Sequence, residues 1–312
     1  MTAPKLGYLL PTRERIMSGE NETGPMLALA ERAEALGYDS IWIGDSLLAR
    51  PRHDPLTLMA AVAARTERVA VGTAVLLPAL RNPVVLAHQV ATLDRIAEGR
   101  LILGYGIAND VPNIRAEFAA AGVPFEKRVG RMLEGLRLCR ALWSGEAVDW
   151  EGRWPVKEGV LGPTPHNPGG PPVWLGGGVP AALKRAAREF DGWFPTGPDA
   201  EGWGEGWRTV QAAAVEAGRP AGALTGAVYL TIALDEDADA GNARIDAYLE
   251  SYYGVPAAII RKRQTAFAGA PEAAADWIGG YAERGAGHIA LRFVGDHERM
   301  LEAVAGVRDR IG

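Results

Sequence analysis

The chain has 312 residues, 48% of them hydrophobic and 23% charged, with a formal net charge of −5. That length and apolar content can bury a large core, in one large domain or two smaller ones. The acidic balance supplies no cationic field for nucleic acid or an anionic membrane, and no apolar run approaches the roughly 20 residues a bilayer crossing needs.

Apolar, β-branched-rich runs recur in chain order at 6–10, 40–44, 69–77, 101–107, 173–176, 192–195, 226–234 and 289–294. Between them the apolar spacing is helical. Met26, Leu29, Ala33 and Leu36 are stopped by Gly37, Val84, Ala87, Val90 and Leu93 are closed by Gly99, and Val179, Leu183, Ala186 and Phe190 form a third stripe. Buried strands alternating with amphipathic helices predict a parallel sheet, and eight such units predict closure into a (β/α)8 TIM barrel. The open dinucleotide-binding sheet is disfavoured because its G-x-G-x-x-G fingerprint is missing after the first strand, which reads Gly7-Tyr8-Leu9-Leu10-Pro11-Thr12.

Two insertions interrupt the repeat. Residues 144–171 follow strand four, and the alternation from Ala147 to Trp154 predicts a hairpin turning at Glu151-Gly152. Residues 238–268 follow strand seven and predict extra helix at 238–253 and 256–267. With no low-complexity linker, residues 1–312 read as one domain. The amino end carries no charged leader before an apolar segment, so a cytoplasmic location is expected. The sole cysteine, Cys139, falls on the apolar face of a helix and reads as core.

Chemistry in such a barrel sits at the carboxyl ends of the strands. None of the five lysines ends a strand, which removes Schiff-base chemistry, and the scattered histidines contain no H-x-H pair, so no metal site is expected. Among carboxylates only Asp45 sits squarely at a strand end, too few for a glycosidase pair. A bound cofactor is therefore expected to carry the reaction. Gly176, Gly177 and Gly178, between strand five and the next helix, form a turn whose free N–H groups and helix dipole attract a phosphate.

Five ordered motifs carry a family resemblance. They are Gly37-Tyr38-Asp39-Ser40-Ile41-Trp42-Ile43-Gly44-Asp45, Ala64-Arg65-Thr66-Glu67-Arg68-Val69 with Gly72-Thr73-Ala74-Val75, Asn82-Pro83 running to Ala91-Thr92-Leu93-Asp94, Gly99-Arg100-Leu101-Ile102-Leu103-Gly104-Tyr105-Gly106, and the 173–178 and 191–194 segments. Together they resemble the bacterial luciferase-like superfamily. The resemblance implies a (β/α)8 barrel, often a homodimer, that binds reduced FMN or the deazaflavin coenzyme F420. It implies a non-prolyl cis peptide between Ala74 and Val75 against the cofactor ring, with Gly106 and Asn109 approaching the ring and its ribityl chain. It also places the phosphate at Gly176, Gly177, Gly178 and the Thr196 hydroxyl.

Departures from the family pattern shape the catalytic expectation. Many members carry Asp-His after strand two, where this chain has Asp45-Ser46, and a Glu after the strand-four Gly-x-Gly, where it has Ile107. Asp45, Ser46 and, in place of the lost histidine, His53 are the candidate catalytic residues. Arg13, Glu14, Arg15 and Arg81 are candidates for an acidic substrate group or the cofactor tail. Trp150, Trp154, Trp203 and Trp207 are candidates to line an apolar pocket. The expected function is a flavin-dependent monooxygenase that uses reduced FMN, O2 and a separate flavin reductase on a small apolar substrate. F420-dependent hydride transfer and a flavin-binding protein without turnover are the alternatives.

Overall fold

The structure is a computed structural model that describes residues 3–220 and 222–311. Its strands, in chain order, are β1 (Lys5–Leu9), β2 (Ser40–Ile43), β3 (Ala70–Leu76), β4 (Leu101–Tyr105), β5 (Val148–Trp150), β6 (Val156–Gly159), β7 (Val173–Leu175), β8 (Gly192–Trp193), β9 (Thr225–Leu234), β10 (Ala266–Gly269) and β11 (His288–Phe293). The helices are α1 (Thr12–Met17), α2 (Gly24–Ala35), α3 (Pro55–Arg65), α4 (Pro83–Ile96), α5 (Pro112–Ala120), α6 (Arg128–Leu142), α7 (Pro180–Glu189), α8 (Ala200–Glu216), α9 (Ala238–Tyr253), α10 (Ala257–Arg261), α11 (Pro271–Ala282) and α12 (His297–Gly306).

Eight parallel strands close a barrel in the order β1-β2-β3-β4-β7-β8-β9-β11, with β11 returning to β1. Closure at the short β8 rests on Gly192 opposite Thr225 and Trp193 opposite Gly226. This is the TIM-barrel fold that the strand count predicted. Proline at the first turn and an Asx cap start the helices beside the site: Asp54 accepts the Thr57 N–H at 2.9 Å to open α3, and Asn82 accepts the Val84 N–H at 2.9 Å to open α4.

Three aromatic rings, Trp42, Trp174 and Phe194, plug the barrel, with ring centroids 4.8 to 5.7 Å apart. They fit because Gly7 and Gly72 face Trp42 and Gly192 faces Trp174, where a Cβ would overlap the indoles. At the amino-terminal end of the plug, Trp42 Nε1 donates to Ser40 Oγ at 2.7 Å, and Ser40 Oγ pairs with His288 Nε2 at 2.6 Å. Burial and the nearby Lys5 charge push the His288 pKa down to about 3, so the ring is neutral. Cys139 is buried beside the Pro83 carbonyl, as its helical position predicted.

Both insertions differ from expectation in detail. The hairpin forms, but its return strand starts at Val156, after Trp154, because the Arg153 N–H is pinned to Glu134 Oε1 of α6 at 2.7 Å. The second insertion holds α9 as predicted, but α10 stops at Arg261, and Ala266 and Phe267, expected to end that helix, open β10. β10 pairs Ala266–Gly269 with Thr231–Leu234, so the protruding carboxyl half of β9 recruited a strand where apolar spacing read as helix.

Candidate active site at the barrel mouth

The loop after β2 is a set of buried charge locks. Asp45 Oδ2 accepts the Leu77 N–H at 2.8 Å and Arg81 Nη1 at 2.5 Å, while Oδ1 accepts Arg81 Nη2 at 3.1 Å. The same Arg81 reaches Asp54 at 3.2 Å, so one guanidinium ties the ends of β2 and β3 to the cap of α3. Ser46 Oγ donates to Glu117 Oε1 at 2.7 Å and accepts the Arg50 N–H at 2.9 Å. Glu117, buried on α5, also accepts the N–H groups of Leu47, Leu48 and Ala49 at 2.5, 2.8 and 3.1 Å. Asp45 and Ser46 thus have every near polar contact inside the protein, and the geometry assigns them to holding the loop. His53 pairs through Nε2 with the Asn21 carbonyl at 2.8 Å, and its Nδ1 is buried without a hydrogen-bond partner. Glu117 lies 71 residues beyond Ser46, and no local motif marks it.

In the neighbouring β3, the peptide joining Ala74 and Val75 is cis. Val75 is partly exposed and packs with the aromatic plug, and Gly106 leaves room for it: a Cβ there would lie 2.5 Å from Val75 Cγ2. Asn109 is exposed in the loop after β4.

The three glycines are not equivalent. Gly176 spends its N–H on the Tyr105 carbonyl at 2.9 Å, within the barrel. Gly177 adopts φ +102°, which favours glycine, and its carbonyl is fixed by Trp193 Nε1 at 2.8 Å. At Gly178 a Cβ would meet nothing within 4 Å. Among the described residues, Gly177 and Gly178 donate to no backbone carbonyl, and α7 begins one residue later, after Val179, without a side-chain cap. An anion there meets free N–H groups and a helix dipole. Thr196 is less available than expected, because its hydroxyl donates to the Arg263 carbonyl at 3.1 Å.

The tryptophans do not line the mouth. Trp203 and Trp207 stack on Trp193 between the barrel and α8, with successive centroids 5.7 and 6.0 Å apart, and Trp150 and Trp154 pack in the insertion beside α6. Aromatic spacing could not distinguish a pocket wall from the layer that seats an outer helix. Of the basic candidates, Arg15 pairs with Glu20 at 2.6 Å and Arg81 with Asp45, whereas Arg13 reaches the Tyr252 carbonyl of α9 at 3.2 Å. Arg292, which the sequence reading did not single out, is 2% exposed on the interior face of β11 among Tyr229, Tyr248, Tyr252 and Tyr253.

A parallel barrel is shared by many enzymes, so comparison with known proteins decides the family. The family model described as luciferase-like monooxygenase matches residues 4–312. The chain belongs to the luciferase-like family. An F420-dependent glucose-6-phosphate dehydrogenase of Mycolicibacterium smegmatis is 30% identical over 305 residues, covering 89% of this chain and 90% of that protein. A counterpart from Rhodococcus erythropolis is 35% identical over 201 residues, covering 62% of this chain but only 57% of its own length. Among solved structures, an F420-dependent secondary alcohol dehydrogenase superposes with a TM-score of 0.83 at 20% identity, with both chains fully covered. A monooxygenase from Streptomyces bottropensis gives 0.80 at 23% identity, covering 97% of this chain and 98% of its own. At those identities the structural likeness speaks for the fold alone. The luciferase-like chain is an oxidoreductase, and no helix of the described residues is long and apolar enough to cross a membrane.

Proposed function

We propose that this luciferase-like protein is an F420-dependent oxidoreductase that transfers hydride between the deazaflavin and a small organic substrate. This replaces the FMN and O2 chemistry expected from the sequence. The observation that carries the reading is the similarity over nearly the whole chain to F420-dependent dehydrogenases, 30% identical over 305 residues.

The residues at the mouth fit such a cofactor. Gly177 and Gly178, with free N–H groups and, at Gly178, an open Cβ position, would hold its phosphate. Val75, seated against Gly106, would line one face of its ring. When bound, the deazaflavin supplies a two-electron centre that accepts or donates hydride. Trp42, Trp174 and Phe194 close the barrel beneath that position and exclude water from below.

Hydride transfer at an alcohol or carbonyl also needs a proton holder, and Asp45 and Ser46 are committed elsewhere. Tyr253 Oη accepts Gln264 Nε2 at 2.6 Å and Arg292 Nη1 at 3.0 Å. Burial raises the phenol's pKa, but the Arg292 charge and the two hydrogen bonds outweigh it, so the net shift is downward. This reading assigns the proton to Tyr253 Oη.

The test is an anaerobic titration of the purified protein with F420 and with FMN, followed by fluorescence. F420 should bind and FMN should not, and the reduced F420 complex should be slow toward oxygen. Binding of FMN alone, or of neither, overturns the reading. Gly178→Val, which has space for its side chain, should fold normally and weaken F420 binding at least tenfold. Unchanged affinity would place the phosphate elsewhere.

A further inference from the structure

The mouth carries an excess of cationic charge that the cofactor position does not use. Arg292 Nε and Nη2 donate to Thr231 Oγ1 at 3.1 and 2.7 Å, and Nη2 also reaches Gln264 Oε1 at 2.5 Å. Its guanidinium lies 5.4 Å from the Tyr229 ring, 5.3 Å from Tyr248, 5.4 Å from Tyr252 and 5.8 Å from Tyr253. Three more guanidiniums arrive from other elements. Arg52 Nη2 donates to Tyr252 Oη at 2.9 Å, Arg13 stacks over the Tyr252 ring at 4.9 Å, and Arg50 stacks over the Tyr253 ring at 4.8 Å.

Among the described residues, none of these four arginines forms an ion pair. The neighbouring carboxylate, Glu14, accepts the Tyr248 hydroxyl at 2.5 Å. Arg13 Nη1 and Arg50 Nε are buried without any hydrogen-bond partner. Buried donors of a charged group left unpaired cost free energy, and a guanidinium fork matches the two oxygens of a carboxylate or phosphate. In a chain of net charge −5, such a cluster at one spot is a local focus for an anion.

Its position separates it from the phosphate turn. β11 and β1 lie across the eight-stranded ring from β4 and β7, so the arginines face Gly177 and Gly178 from the opposite rim. We propose that Arg13, Arg50, Arg52 and Arg292 form the recognition site for an oxyanion, carboxylate or phosphate, carried by the substrate. Its assignment to the substrate rests on the hydride-transfer reading. It replaces the apolar substrate expected from tryptophans that pack away from the mouth.

Inorganic phosphate and malonate serve as probes in isothermal titration calorimetry of the cofactor-free protein. Both should bind. Arg13→Met and Arg50→Met, chosen because Arg292 also hydrogen-bonds Thr231, Gln264 and Tyr253, should each weaken binding at least tenfold. Arg208→Met, on the exposed face of α8, should leave it unchanged. Absence of binding, or equal binding by the Arg13 and Arg50 variants, overturns the site. Saturation with F420 should not alter phosphate affinity, and competition between the two overturns the assignment to substrate by making the anion the cofactor's own. Phosphate uptake through Arg13 and Arg50 in a protein that binds no F420 supports the oxyanion site while overturning the functional reading.

Discussion

Asp45 tests whether the loop after β2 holds structure or performs chemistry. Its side chain is 1% exposed and that of Arg81 15%. Asp45→Asn keeps an oxygen for the Leu77 N–H and Arg81 Nη1 but removes the charge and turns an amide donor toward Arg81 Nη2, leaving that nitrogen with Asp54 at 3.2 Å. Removing one partner of a buried ion pair costs about 3–5 kcal/mol, and the remaining Asp54 contact places this case near 3. Unfolding entropy is about 2.1 cal/mol/K per residue, so for a chain of 312 residues the midpoint should fall by roughly 4–5 °C. The assay is thermal unfolding at pH 7 by tryptophan fluorescence, with Asp45→Asn/Arg81→Met alongside. The double variant removes the stranded charge and should unfold at a higher temperature than Asp45→Asn alone. A shift under about 1 °C together with lost turnover would refute the reasoning and return Asp45 to the chemistry.

His288 has its pKa held at about 3, below the unfolded value near 6.5, so its contribution to stability is complete above pH 6.5 and is lost as pH falls toward 3. From pH 7 to 5 the wild-type unfolding free energy should therefore drop by about 2 kcal/mol more than that of His288→Gln, and equal slopes in urea titrations would remove His288 as the cause. Glu117→Gln weakens four hydrogen bonds to a charged acceptor, so amide exchange at 47–49 should accelerate with a stability loss of about 2–3 kcal/mol; unchanged exchange would show that the loop does not depend on it. Trp193→Phe deletes the donor to the Gly177 carbonyl and should weaken F420 binding roughly five- to tenfold, the worth of about one hydrogen bond, and an unaltered Kd would free the turn from that anchor. Tyr253→Phe should lower kcat with F420 by about two orders of magnitude at unchanged F420 affinity, and a full-rate variant would dismiss Tyr253 as proton holder.

The barrel was legible because it is written in local patterns. Continuous apolar runs and helices stopped by Gly37 and Gly99 set the eight-unit repeat, and the Gly176–Gly178 turn was visible as backbone chemistry that no other residue type supplies as easily. The ends of the second insertion were less so, because 266–269 becomes a strand only when β9 offers it an edge. Sequence by itself thus determined the fold and the family. Tertiary structure alone decided what the polar residues at the barrel mouth do. Ser46 and Glu117 meet across 71 positions, and Arg13, Arg50, Arg52 and Arg292 converge from α1, from the loop after β2 and from β11. Whether an ionisable group is a lock, a ligand or a catalyst depends on its burial and partners, and those exist only once distant segments are folded together.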